Sequence, residues 1–148
     1  MDEQRLCVTN KELFYSAMML NHDRLVGIEY DFPADEARLT KELNEAKRSL
    51  HKKKLLKENS KGEINLDFAL STCAGLCANP DSCIVVDEDG YRATVYVASN
   101  YYMLMERAGK DENAALWFRD KEALDGYIMQ KLESMKGDGK EGEADVGD

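Results

Sequence analysis

At Asn79-Pro80 the spacing of apolar residues changes, and this change constrains the fold more than any other feature of the chain. Before it, Leu66, Leu70, Cys73 and Cys77 recur at intervals of four, three and four, which places them on one face of a helix. After it, "CIVVDEDGYRATVYVASNYYMLMERAG" alternates every second residue, the period of a half-buried strand. The residue before a proline is pushed out of the helical region, so Asn79-Pro80 ends the helix. Three helices, a small meander and then a final helix keep the helices and the sheet in separate blocks, so the predicted class is α+β.

The helical block divides into three. A first helix is predicted from about Lys11 to Leu20, capped by Thr9 or Asn10, with Leu13, Phe14, Ala17, Met18 and Leu20 on its core side. "NHDRLVGIEYDFP" connects it to a second helix opened by Pro33 and Asp35 and reaching about Lys53, with a stripe of Leu39, Leu43, Ala46 and Leu50. "KENSKGEIN" reads as a polar turn, after which Asn65 caps the third helix. The sheet block predicts a small antiparallel meander of three to four strands. Asp89-Gly90 and Ser99-Asn100 supply its turns, and "AALWFR" forms the fourth strand. Asp120 then caps a C-terminal helix over residues 121–135 carrying Leu124, Ile128 and Leu132. Residues 1–135 read as one domain. Residues 136–148 read as a disordered acidic, Gly-rich tail, because they offer almost nothing to bury.

Three of the four cysteines fall between Ser71 and Cys83 and invite a metal or redox reading. The spacing Cys73-x3-Cys77-x5-Cys83 fits neither the paired close spacings of structural zinc nor a C-x-x-C pair, and neither His22 nor His51 lies nearby. Helical periodicity gives the better account: Cys73 and Cys77 continue a leucine stripe as small buried hydrophobes. Neither histidine neighbours a candidate nucleophile, the glycines form no phosphate loop, and "DEDG" lacks the spaced ligands of a calcium loop. The reading is non-enzymatic, with no cofactor and no metal.

Charge bears on partners. The chain carries a net −9, so an encounter with phosphate backbones is disfavoured and no nucleic-acid partner is expected. The basic run "LHKKKLLK" reads as cations closing the second helix, where they complement its dipole. No apolar run is long enough to span a bilayer, and "MDEQRLCVTN" lacks the apolar stretch of a secretory signal. A cytoplasmic location without membrane insertion is the expectation.

A two-residue turn at Ser99-Asn100 sets Tyr96 opposite Met103 and Thr94 opposite Met105. One sheet face then carries Tyr91, Ala93, Val95, Val97, Tyr102 and Leu104, a natural core side. The other carries Arg92, Thr94, Tyr96, Tyr101, Met103 and Met105. Tyr and adaptable Met mixed with polar groups characterise protein-binding surfaces, so these six are the candidate partner-binding residues. The competing reading is that a second layer covers them.

The order of features carries a family resemblance. Leu25-Val26-Gly27 follows the first helix, Leu55-Leu56 and then Gly62 follow the second, and Ala78-Asn79-Pro80 ends the third before a strand. Over about residues 9–130 the chain resembles the N-terminal portion of EspG-type proteins, cytosolic chaperones of bacterial type VII secretion. Members of that family are commonly about twice as long and built from two similar halves, whereas this chain reads as one; a homodimer would restore the two-half arrangement. The resemblance implies a secreted or secretion-system protein as partner, held through the Tyr/Met face. The alternative function is a winged-helix-like nucleic-acid-binding regulator, whose recognition helix Asn65–Ala78 would carry no Arg or Lys to read bases.

Overall fold

The computed structural model describes residues 5–31 and 33–147, with the side chains of residues 136–147 outside that description. The first element is a short strand absent from the sequence reading, β1 (Leu6–Thr9). Thr9 then caps α1 (Asn10–Met19) in a reciprocal capping box: its hydroxyl accepts from the Glu12 backbone N–H at 3.1 Å, and its own N–H donates to Glu12 Oε1 at 2.9 Å. α2 (Glu36–Lys52) follows, and its stripe sinks progressively, from half-buried Leu39 and Leu43 to buried Ala46 and Leu50.

The polar turn expected after α2 is a hairpin of two three-residue strands, β2 (Leu56–Glu58) and β3 (Ile64–Leu66). Asn59 organises its loop, its side-chain oxygen accepting from the Lys61 and Glu63 backbone N–H groups at 2.9 Å each. The cap of the third helix moves accordingly. Asn65 lies in β3, and Asp67 caps α3 (Phe68–Ala78) by accepting from the Ala69 N–H at 3.0 Å.

The sheet is an antiparallel meander of β4 (Ser82–Glu88), β5 (Tyr91–Val97), β6 (Tyr102–Arg107) and β7 (Glu112–Phe118). β1 extends it to five strands in the order β1-β7-β6-β5-β4, pairing Leu6 with Ala115. The register matches the expectation, with Tyr96 opposite Met103 and Thr94 opposite Met105. Asp89 and Gly90 both take positive φ, +53° and +85°, as the tight two-residue turn between β4 and β5 requires. Asp120 accepts from the Ala123 N–H at 2.8 Å and opens α4 (Lys121–Gly147). The acidic tail expected over 136–148 falls where side chains lie outside the described residues.

The result is a mixed α+β fold in three layers. Leu13, Leu50, Leu70, Cys73, Cys77, Tyr96, Met103 and Met105 form a core between the α1–α3 layer and one sheet face. Tyr91, Ala93, Val95 and Leu104 pack with Leu124 of α4 on the other.

Candidate functional site

The six residues expected to bind a partner do not form an open surface. Tyr96 and Met103 are 0% exposed and Met105 is buried with them. Thr94 and Tyr101 are half-buried, and of the six only Arg92 is exposed, in an ion pair with Asp87 at 3.7 Å. The expectation of an unclaimed Tyr/Met face is therefore corrected. The apolar stripe of α3 needs a broad apolar surface, and the Tyr96–Met103–Met105 side of the sheet supplies it. The Tyr91 side is covered in turn by Leu124, Tyr127, Ile128 and Leu132 of α4.

The cysteines resolve with the same packing. Cys73 and Cys77 are fully buried, Cys83 pairs across the ladder with Tyr96, and all four cysteines are free thiols. A hydrogen bond with Cys77 and then burial push the Cys73 thiol well up, and burial followed by Cys77 raises Cys83. Burial first, then the neighbouring Cys77, raises the Tyr96 hydroxyl too, so these groups stay protonated. A raised thiol is a poor nucleophile and a poor metal ligand. Among the described residues no three His, Cys, Asp or Glu side chains are grouped to hold a metal ion.

A polar cleft of about 810 Å³ opens between α1, α2 and the end of β6, lined by Glu12, Glu29, Tyr30, Glu42, Glu45, Arg107 and Lys110. Much of its charge is spent on structure. Glu12, 1% exposed, accepts from Lys53 Nζ at 2.7 Å and from the Ser49 hydroxyl. Tyr30 donates to Glu42, and Lys11 pairs with Glu45 at 3.3 Å. Lys53, from the basic run, thus ties the end of α2 back to the start of α1.

An apolar groove of about 770 Å³ lies at the opposite end of the helical layer, where the first turn of α3 meets the β5–β6 turn and the end of β7. Phe68, Thr72, Tyr101, Trp117, Phe118 and Arg119 line it. Phe68 is the first residue of α3 and is 84% exposed, the most open large apolar side chain among the described residues. Its position follows from the Asp67 cap, because a side chain on the first helical turn projects past the layer beneath. Trp117 sits opposite Met103 in the ladder, and its indole N–H is buried without a hydrogen-bond partner. Phe118 points to the other sheet face and packs on Tyr127 at 5.4 Å between ring centres, which fixes that wall. Of the expected site residues only Tyr101 belongs to this groove. The sequence signal for the others was weak: Phe68 breaks the α3 stripe, and "LWF" reads as ordinary strand.

α3 itself, the recognition helix of the nucleic-acid alternative, has Leu70, Cys73, Ala74, Leu76, Cys77 and Ala78 buried, and the face it leaves open, with Phe68 and Thr72, carries no Arg or Lys. No helix among the described residues is long and apolar enough to cross a membrane. The chain matches no protein-family model and no curated protein.

Proposed function

We propose that this chain is a non-enzymatic, cytosolic protein-binding module, a holder of a secreted or secretion-system protein such as the EspG-type resemblance implies. Its docking site on this reading is the Phe68–Trp117 groove in place of the Tyr/Met face. The observation that carries it is Phe68: a phenyl ring 84% exposed beside a groove lined by Thr72, Tyr101 and Trp117. Leaving such a ring in water forgoes about 1.5–3 kcal/mol of burial, a deficit that a bound partner removes. Aromatic and Arg side chains around a desolvated pocket are also the composition of binding hot spots, and Arg119 stands at the rim.

The test is site-directed capture. A photoreactive phenylalanine analogue at position 68, irradiated in the native cytosol, is expected to cross-link one dominant protein. The purified partner is then expected to bind Phe68→Asp about thirtyfold more weakly, the scale of a single hot-spot residue. Equal affinity for Phe68→Asp would remove the groove as the docking site.

A further inference from the structure

We propose that the outer edge of β4 receives an extended segment of another protein as a sixth strand, and that this segment is apolar at its centre and basic at its ends. The surface is distinct from the Phe68 groove and stands on separate observations. Among the described residues β4 closes one side of the five-stranded sheet and pairs with β5 alone. The tight turn at Asp89-Gly90 makes Glu88 and Tyr91 a hydrogen-bonded pair. Alternation along the ladder then turns the N–H and C=O of Asp87, Val85 and Cys83 outward. Seven residues is long for a bare edge, and its middle is apolar on both sides. Ile84, on the α4 side, is 56% exposed, and Val85, on the side of the α1–α3 layer, is 64% exposed. An added strand would cover both side chains and pair the three outward backbone positions in one step.

Charge decides the occupant. Asp81 stands at one end of this edge, and Asp87, Glu88 and Asp89 stand at the other. A second copy of the chain is the natural rival. Self-pairing must keep outward residues opposite outward residues, and the register with the greatest overlap is centred on Val85. That register sets Asp81 against Asp89 at both ends, between two chains each carrying a net −9. The acids therefore act as a guard against self-association and as an attraction for Lys or Arg flanking a short apolar run.

A defined probe tests this. A fluorescein-labelled peptide, Lys-Lys-Val-Thr-Val-Thr-Val-Lys, titrated with the whole protein by anisotropy, is expected to saturate. The same peptide with Glu in place of Lys is expected to bind at least about tenfold more weakly, and the preference to shrink in high salt. Methylating the peptide's edge-facing amides is expected to abolish binding, an arm that needs no variant of the protein. Val85→Pro removes an outward N–H and no ladder bond, so the variant is expected to fold and lose binding, while Phe68→Asp binds the peptide normally. No binding of the Lys peptide, or equal binding of the Glu or methylated peptides, would overturn the proposal. So would a protein that sediments as a dimer and dissociates on Val85→Pro, which would give the edge to a second copy.

Discussion

The residue that organises the interior is Tyr96. It is fully buried, and its hydroxyl donates to the Val26 carbonyl at 2.5 Å, closing the loop after α1 onto the sheet. Gly27 beside it has φ +79°, and a Cβ there would stand 2.9 Å from the tyrosine oxygen. Gly27→Ala meets both the cost of left-handed backbone and that contact, so urea unfolding is expected to show a loss of about 2 kcal/mol. Unchanged stability would mean that the loop is not seated on Tyr96. The thiols around this hydroxyl give a second expectation. Cys73, Cys83 and Tyr96 all have raised pKa values in the folded state, so each is still protonated when its unfolded counterpart has ionised. The unfolded chain then binds fewer protons, and stability falls with rising pH. Their share is intact below the ordinary thiol value of 9.0 and is lost above it, so the unfolding midpoint is expected to decline from about pH 9 upward. The fate of Cys73 and Cys77 was legible in their helical spacing. The Tyr96–Val26 bond was not, because it joins residues seventy positions apart and leaves no local pattern.

At the scale of elements, the helical layer is pinned by one buried carboxylate. Glu12 closes the cap of α1 and receives Lys53 from the end of α2, a pair spanning forty-one positions. Lys53→Met removes a charge-assisted bond from a buried acid and is expected to cost about 1.5–3 kcal/mol, toward the lower end because the ammonium meets solvent. A thermal unfolding scan checks this; an unshifted midpoint would make the pair incidental. The elements that periodicity announced are those long enough to show a period: α1, α2, the α3 stripe, and the meander with its Asp-Gly turn. β1, β2 and β3 have four, three and three residues, too few to show alternation above noise. β1 also finds its partner at Ala115, more than a hundred residues away. The shift of the α3 cap from Asn65 to Asp67 has the same origin, since the unseen strand β3 claims Asn65 and Leu66.

At the scale of the whole molecule, the decisive fact is that both sheet faces are covered. The sequence distinguished the two faces correctly and paired their residues in the right register. Which face was free depended on how the helices pack, and one strand's pattern does not carry that. Apolar stripes on the helices and on both faces of the sheet satisfy one another; among the described residues apolar surface stays open at the sheet rim, as Phe68 above the Trp117 groove and Ile84–Val85 on the edge of β4, and on the outer helix surfaces as Met18, Met19 and Met129. On the proposed reading, recognition sits at the periphery of the sheet and not at its centre. Urea unfolding of Tyr96→Asp beside Phe68→Asp tests this claim most directly. A carboxylate at Tyr96 is expected to cost several kcal/mol and remove most or all of the cooperative transition, whereas Phe68→Asp is expected to stay within about 0.5 kcal/mol of the parent. A Tyr96→Asp protein that unfolds at the parent's midpoint would contradict the account and return the Tyr/Met face to the surface.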